Sequence, residues 1–254
     1  MPVCDIGEYA SPGSSDAQSV FEPFRQPILD RPFVVAQLGQ SLDGRIATIS
    51  GESRYINGPA ALDHLHSLRA HVDAVVVGCS TVLADDPQLT VRRYPGGKHP
   101  ARVVIDPNGR LDGTGKWLEA DGIRRILVRA AGEPGSDVAH GAAAKAGVEC
   151  LSVATQNGQL APRSILDALF AAGMKRILIE GGANTIARFL DAECLDRLHV
   201  LVSPVLIGSG RAGIDLKPVA DLALARRPVT HVHLLGGGDV LFDCDLSSCR
   251  HVTA

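Results

Sequence analysis

Short apolar runs, each followed by a glycine or a polar turn, alternate with amphipathic stretches along most of the chain. Apolar runs of this length, bounded by turn residues, are typical of strands buried on both faces of a parallel sheet. The pattern predicts strands at 33–39, 73–78, 102–107, 126–129, 149–153 and 176–180. Amphipathic spacing of apolar residues predicts helices after 59, at 162–172 and from 184. A short helix ended by a proline is predicted at 79–87, and an Ala-rich helix around 137–146.

The alternation of strands and helices stops near residue 195. Residues 198–208 are strand-like, and 229–235 and 240–245 flank the turn Gly236–Asp239, which is typical of a hairpin. We therefore predict an α/β fold with a mostly parallel central sheet flanked by helices and an antiparallel C-terminal hairpin.

Residues 1–30 are rich in Ser, Pro, Gly and Asp, and four prolines interrupt any period. We expect them to form an N-terminal extension that is partly disordered or laid over a neighbouring surface. A single domain then spans 31–254, without internal repeats.

Charge and cysteine content exclude several classes of protein. The net charge of −3 gives no reason to expect nucleic acid or an anionic membrane as a partner, and no apolar run is long enough to span a bilayer. The six cysteines form no C-x-x-C, and the pairs His64/His66 and His231/His233 lack a third ligand nearby. We expect a cytoplasmic protein with reduced cysteines and no metal site.

The stretch 176–190 suggests the chemistry. A buried strand ends at Glu180, Gly181 and Gly182 permit a positive φ, and Asn184 is predicted to cap the helix that follows. Helix N-termini bind phosphate, and ligands of open α/β sheets lie at the carboxyl ends of the strands. The stretch therefore predicts an anion-binding turn beside an acid. The alternative is a tight packing turn capped by the carboxylate of Glu180.

Several motifs occur in a fixed order: Ser41–Ala47 (SLDGRIA), Leu68–Ala70, Thr81–Thr90 with its ADDP, Arg102–Asp106 and Glu180-Gly-Gly. In these motifs the chain resembles the pyrimidine reductases of riboflavin biosynthesis, which in many bacteria form the C-terminal half of a bifunctional deaminase–reductase. The resemblance covers about residues 31–245 and implies a dihydrofolate-reductase-like fold.

The resemblance implies the NADPH-dependent reduction of 5-amino-6-(5-phosphoribosylamino)uracil to its ribitylamino form, by a homodimer. The implied catalytic positions are Glu180, Gln37 and Asp43. The implied substrate contacts are Ser53, Arg69, Leu89, Arg92 and Glu180. The implied cofactor contacts are Gly39, Tyr55, Thr81, Asp85, Pro107, Gly181, Gly182, Ala183, Asn184 and Thr185. Arginine forks suit a substrate phosphate, which fits Arg69 and Arg92.

The chain departs from the family pattern at three positions. Gln37 replaces a lysine near the reacting ribose and cannot act as a proton donor of that kind, Tyr55 replaces a tryptophan, and Pro107 replaces a serine. The H-x-E and P-C-x-x-C signature of the zinc deaminase is absent, so we expect another chain to carry out deamination.

Two functions other than the riboflavin step remain open on the sequence alone. Gln37 favours a reductase of another pyrimidine or a pterin such as dihydrofolate, and a non-catalytic nucleotide-binding relative is a third hypothesis. Arg69 and Arg92 are compatible with solvated surface cations, and one of Asp85 and Asp86 with a purely structural helix end. The choice between NADPH and NADH is not determined by the residues.

Overall fold

The structure is a computed structural model that describes residues 20–132, 147–156 and 158–249 of the 254-residue chain. The predicted helix around 137–146 and residues 1–19 of the predicted extension lie outside the described residues.

A central sheet organises the described residues. Its strands are β1 (Phe33–Ser41), β3 (Ala74–Gly78), β4 (Ala101–Ile105), β5 (Arg125–Ala130), β6 (Glu149–Val153), β9 (Arg176–Glu180), β10 (Arg197–Ser203), β12 (Val229–Leu234) and β13 (Val240–Asp245). Two short pairs flank it, β2 (Arg45–Ala47) with β11 (Arg211–Ala212) and β7 (Thr155–Gln156) with β8 (Gln159–Leu160). The strand order in the central sheet is β12-β13-β10-β1-β9-β3-β4-β5-β6.

The directions of the strands confirm the predicted fold class. Every neighbouring pair from β10 to β6 is parallel. The C-terminal hairpin β12–β13 joins the sheet through antiparallel pairing of β13 with β10. The predicted strands at 149–153 and 240–245 match the structure residue for residue, because each is bounded by a turn.

Four helices of the described residues cover the two faces of the sheet: α1 (Pro59–Ala70), α2 (Cys79–Asp85), α3 (Pro162–Ala171) and α4 (Ala183–Asp191). Side chains of α1 and α2, such as Leu68 and Val82, pack on one face with Val35 and Val75. Side chains of α3 and α4 pack on the opposite face, where Ile165, Leu166, Leu169, Ile186, Phe189 and Leu190 are buried. The result is a three-layer α/β arrangement.

The predicted helix boundaries agree with the structure where proline sets them. Pro59 and Pro162 occupy the first turn of α1 and α3, a position at which a missing N–H costs nothing. Helix α2 ends at Asp85, and Asp86 takes a left-handed conformation with φ 41° before the proline. Leu62 of α1 is 37% exposed because it faces an open cleft.

The described part of the predicted extension lies against α1. The Phe21 ring stacks on His71 at 4.5 Å, and Phe24 is buried with its ring edge on Phe33. Arg176 donates from its side chain to the backbone carbonyls of Phe24 and Gln26. Within the described part of the chain, the helices are too short or too polar to cross a bilayer.

The pairing register opens the sheet at its carboxyl edge. Strand β1 pairs with β9 only as far as Gln37 opposite Glu180, whereas it pairs with β10 as far as Ser41 opposite Ser203. The last residues of β1 therefore lose their neighbour on the β9 side. A crevice at this edge is where open α/β sheets bind ligands.

Candidate active site

A cleft of about 860 Å³ occupies the crevice between the ends of β1, β9 and β3. This volume is in the upper part of the range, about 300–1,000 Å³, of small-molecule sites. Sequence-predicted site residues that line it are Gln37, Gly39, Ser53, Tyr55, Thr81, Asp85, Gly181, Gly182, Ala183 and Asn184. The remaining predicted residues, Asp43, Arg69, Leu89, Arg92, Pro107, Glu180 and Thr185, lie outside this lining.

The glycine pair after β9 forms a turn that a side chain would obstruct. Gly181 and Gly182 have φ values of 60° and 68°. A Cβ on Gly182 would lie 2.9 Å from the hydroxyl of Thr81, so the turn passes directly against α2. Glycine is needed here for both its conformation and its size.

The predicted capping role of Asn184 is wrong. The N-cap of α4 is Gly182, and Asn184 is the second residue of the helix, with its side chain exposed to the cleft. The carbonyl of Gly182 accepts from the N–H groups of Thr185 and Ile186. The cleft therefore meets the open N-terminus of a nine-residue helix, where N–H groups and the helix dipole favour an anion.

Glu180 and Arg69 form a buried pair behind the cleft. The Nε and Nη2 atoms of Arg69 donate to the two carboxylate oxygens of Glu180 at 2.7 and 2.6 Å. The third nitrogen, Nη1, donates to the backbone carbonyl of Thr90 at 2.9 Å. Both side chains are 7% exposed, so the interpretation of Arg69 as a solvated surface cation is wrong. In this conformation its fork is engaged by Glu180.

Gln37 lies at the junction of the cleft and this pair. Its Cα is the register partner of Glu180 on β9 and of His199 on β10. Side chains at paired positions of parallel strands point to the same face, so Gln37 stands between the buried carboxylate and the buried imidazole. It is 8% exposed and contributes to the cleft wall.

The loop after α2 places Leu89 and Arg92 beside the pair. Leu89 is 1% exposed with φ 56°, and its side chain belongs to the core. Arg92 is exposed and donates from Nη1 to Gln88 at 2.7 Å and to the Thr90 hydroxyl at 2.9 Å. Burial and the positive charge of Arg69 lower the pKa of Arg92, and the carboxylate of Glu180 opposes this effect.

The loop between β2 and α1 forms the mouth of the cleft. Tyr55 is 89% exposed with φ 68°, an uncommon conformation for a bulky residue. Asn57 packs so closely on Gly39 that a Cβ at position 39 would overlap its amide oxygen. Asp239, 1% exposed in the hairpin turn, accepts from the Gly58 N–H at 2.7 Å and anchors the loop at the start of α1.

Asp43 has its hydrogen bonds outside the cleft. Its carboxylate accepts from the Ser41 hydroxyl at 2.6 Å and from the backbone N–H groups of Ile207 and Gly208 at 3.1 and 2.6 Å. These hydrogen bonds lower the pKa of Asp43 to about 2, and the bond from Ser41 has the largest effect. An acid of this kind holds a turn and has little capacity to donate a proton near neutral pH.

The other predicted cofactor contacts are spread around the far end of the cleft. Asp85 is exposed on α2, whereas Asp86 has the structural role, accepting from the Lys116 N–H at 2.7 Å. The Thr185 hydroxyl lies against Gly78, where a Cβ would approach it to 2.8 Å. Pro107 follows β4, outside the cleft wall.

Sequence reasoning missed several lining residues, among them Arg54, Ser80, Asn57 and Arg211. Arg54 and Arg211 are the cations among the described residues of the cleft lining. Arg211 reaches the cleft because β11 pairs with β2, a contact between distant segments. Its position in the sequence carries no motif, so only the strand pairing reveals it.

A polar network supports the sheet next to Gln37. His64 Nε2 lies 3.1 Å from His199 Nδ1, and burial, with the charge of His199, lowers the pKa of His64 well below its usual value. His199 Nε2 lies 3.0 Å from Asp243 Oδ1, close enough for an ion pair but off the line of a good hydrogen bond. Burial opposes ionisation of Asp243, yet the nearby His199 and the hydrogen bonds from Arg197 keep the pKa of Asp243 well below the usual range.

Comparison with protein families gives one matching model, the RibD C-terminal domain, over residues 32–237. A curated relative from Methanothermobacter thermautotrophicus, named 2,5-diamino-6-ribosylamino-4(3H)-pyrimidinone 5′-phosphate reductase, is 32% identical over 78% of this chain and 90% of its own length. The riboflavin biosynthesis protein RibD of Aquifex aeolicus is 32% identical over 74% of this chain and 50% of its own. The chain thus spans about half the length of the RibD relatives.

A solved structure from Thermotoga maritima has the same fold, with a TM-score of 0.69 and 28% identity. The match covers 85% of this chain and 56% of that one. That protein is named a diaminohydroxyphosphoribosylaminopyrimidine deaminase/5-amino-6-(5-phosphoribosylamino)uracil reductase.

Proposed function

Since the chain belongs to the family of the RibD C-terminal domain, we propose that it reduces 5-amino-6-(5-phosphoribosylamino)uracil to the ribitylamino product with NADPH. The observation that carries the proposal is the cleft. It brings the end of β1, the glycine turn after β9 and the exposed face of α2 to one crevice. The Thermotoga maritima protein, whose name includes this reductase step, matches 85% of the chain.

The residues of the cleft fit a nicotinamide dinucleotide. The glycine turn and the open N-terminus of α4 offer N–H groups to a pyrophosphate. Gly182, which lies close to Thr81, has no side chain that would cover these N–H groups. The exposed Tyr55 ring at the mouth offers an aromatic face to a flat ring. When bound, the reduced nicotinamide would supply the hydride for the imine carbon of the opened ribose, and the imine nitrogen would take its proton from solvent.

We assign the substrate to the wall formed by Gln37 and the loop 51–58. The Gln37 amide is positioned to hydrogen-bond the opened ribose, and Ser53 has a hydroxyl in the same cleft. Arg69 acts as a positioning residue, because its two nitrogens fix the orientation of the Glu180 carboxylate. Arg92, Arg54 and Arg211 supply positive charge for the substrate phosphate.

A second candidate substrate is the 2,5-diamino pyrimidinone, reduced before deamination. The observation that favours it is the match to 90% of the length of the archaeal protein named for that reaction. The two substrates share the ribosylamine and the phosphate, and they differ at one position of the pyrimidine ring. Gln37 and the phosphate-binding cations therefore serve either substrate.

We further propose that the enzyme is a cytoplasmic homodimer. The edge strand β12 exposes Val229, Val232 and Leu234, with exposed fractions of 58%, 49% and 39%. An exposed apolar edge strand is a ready site for pairing with a second copy. The described cysteines, Cys79, Cys150, Cys194, Cys244 and Cys249, are free thiols, which supports a reducing compartment.

The proposal is tested by offering both pyrimidines to the purified protein with NADPH and following the loss of reduced cofactor. We expect NADPH to be oxidised only when a pyrimidine is present. The pyrimidine with the higher kcat/KM is then the preferred substrate. Gln37→Lys introduces the proton donor that the native residue lacks and should raise kcat by about tenfold or more. Binding of NADPH without its oxidation in the presence of either pyrimidine would contradict the proposal.

A further inference from the structure

Beside the far end of the cleft lies an arginine that the reaction does not use. Ser80, the second residue of α2, lines the cleft and has an exposed side chain. Arg110 approaches from the turn after β4, and its Nη1 donates to the Ser80 hydroxyl at 2.9 Å. The same nitrogen lies 3.7 Å from the Cys79 sulfur. Among the described residues, the other guanidinium nitrogens of Arg110 have no hydrogen-bond acceptor, and the side chain is exposed.

The turn that carries Arg110 is held firmly. Asp106 is fully buried, and its two carboxylate oxygens accept from the backbone N–H groups of Arg110 and Leu111 at 2.9 and 3.0 Å. Gly109 has φ 67° and packs on the Arg129 guanidinium, where a Cβ would approach to 2.7 Å. Both features fix the backbone direction, so the Arg110 side chain leaves the turn at a defined point beside the cleft.

The order of the strands sets the direction of a bound dinucleotide. The proposed chemistry lies at Gln37 on β1, and the glycine turn for the pyrophosphate follows β9, the next strand. Continuing across the sheet leads to α2 after β3 and then to the turn after β4. The nicotinamide therefore lies at the β1 end and the adenosine at the end formed by Ser80 and Arg110.

The other cations in or near the cleft lie elsewhere. Arg54 is in the loop before α1, and Arg211 is on β11, which pairs with β2. Lys116, near α2, is engaged by Asp86 at 3.3 Å. Arg110 is thus the cation placed to meet the adenosine end.

We propose that Arg110 and Ser80 bind the 2′-phosphate of NADPH and give the protein its preference for NADPH over NADH. The inference rests on the proposed function and settles a choice that the sequence leaves open. A guanidinium presents paired N–H donors that match phosphate oxygens, and the serine hydroxyl donates a further hydrogen bond. NADH has a ribose hydroxyl at this position, which gains little from a cation.

The test measures nucleotide binding without turnover. The probes are 2′,5′-ADP and 5′-ADP, which differ by the 2′-phosphate, titrated by calorimetry into the intact protein. We expect the native protein to bind 2′,5′-ADP at least tenfold more tightly. Arg110→Gln should weaken the binding of 2′,5′-ADP by about 10- to 100-fold, as expected for the loss of charge-assisted hydrogen bonds. The affinity for 5′-ADP should stay unchanged. Arg163→Gln, an exposed cation at the start of α3, is the matched control and should change neither.

Ser80→Ala gives a second measurement that removes only a hydroxyl at an exposed position. This variant should weaken the binding of 2′,5′-ADP by about 3- to 10-fold and should not change the binding of 5′-ADP. Equal affinity of the native protein for the two nucleotides, or equal losses for both in the Arg110→Gln and Ser80→Ala variants, would overturn the inference. A native preference for 2′,5′-ADP in a protein that reduces neither pyrimidine would instead refute the proposed reaction and leave the inference standing.

Discussion

At the scale of single residues, the buried ion pair of Arg69 and Glu180 does most to define the site. The two residues are 111 positions apart, and each carries a charge that the interior would not tolerate alone. The sequence identified both residues as substrate contacts, yet it gave no sign that they bind each other. Side-chain pairing across that distance depends on how α1 packs over the sheet, which local sequence patterns do not encode.

Removing one partner of this pair should destabilise the fold. Arg69→Met leaves the Glu180 carboxylate buried without its cation, and we expect a loss of about 3–5 kcal/mol in the free energy of unfolding, measured in urea. The double variant Arg69→Met/Glu180→Met removes both charges and should recover most of that loss. A single variant that loses less than about 1 kcal/mol would show that Glu180 is satisfied by other groups.

His66 should make the stability fall on mild acidification. Burial, followed by the charges of Arg69, Arg92 and Arg93, lowers its pKa to about 4, against about 6.5 in the unfolded chain. Between these values the unfolded state binds more protons, so stability decreases as pH falls from about 6.5 to about 4 and then levels off. The expected contribution is about 1–3 kcal/mol.

The measurement is urea unfolding of the native protein and of His66→Asn at several pH values. In the native protein His66 Nδ1 accepts a hydrogen bond from the Arg92 N–H at 3.0 Å. Asparagine keeps an acceptor for this N–H but does not titrate. His64, whose pKa is also lowered, contributes to the same trend, so the slope should be reduced and not abolished. An identical slope in both proteins would contradict the assignment to His66.

At the scale of elements, the strand–glycine–helix step from β9 to α4 is the unit that builds the cofactor side of the cleft. Its sequence predicted the strand, the turn and the buried face of the helix, because these depend on local periodicity and on glycine. The cap was predicted wrongly, since Gly182 itself adopts φ 68° and displaces Asn184 into the first turn. Loop contributions such as Arg211 depend on strand pairing and were not predictable.

Gly182→Ala should weaken cofactor binding as well as stability. The residue has φ 68°, and a Cβ would lie 2.9 Å from the Thr81 hydroxyl in the cleft wall. The matched control is Gly173→Ala, at φ 90° with open space around the Cβ position. Both variants should lose about 1 kcal/mol or more of stability in urea unfolding from backbone strain. Only Gly182→Ala should raise the Kd for NADP⁺, measured by calorimetry, and equal Kd values would contradict the role of the turn.

At the scale of the whole molecule, the central sheet determines where chemistry can occur. Strands β1, β9 and β3 are neighbours in space although β9 is about a hundred residues or more from either in sequence. The fold class followed from the alternation of elements, but the order of the strands did not. That order brings Gln37 and the glycine turn together and leaves β12 at the sheet edge.

The exposed edge strand β12 predicts self-association. Light scattering after size-exclusion chromatography should give twice the mass of one chain. Val232→Lys, at a position that is 49% exposed, should shift the protein toward the monomer without changing its circular dichroism spectrum. A native protein that elutes as a monomer at micromolar concentration would contradict the proposed dimer.

The central claim, hydride transfer to a ribosylaminopyrimidine phosphate in this cleft, has a direct test. The protein is incubated with 5-amino-6-(5-phosphoribosylamino)uracil and NADPH deuterated at the transferable C4 position, and the product is analysed by mass spectrometry. We expect a ribitylamino product that contains one deuterium at C1′ of the former ribose. Oxidation of the cofactor with no deuterium at that carbon would contradict the account.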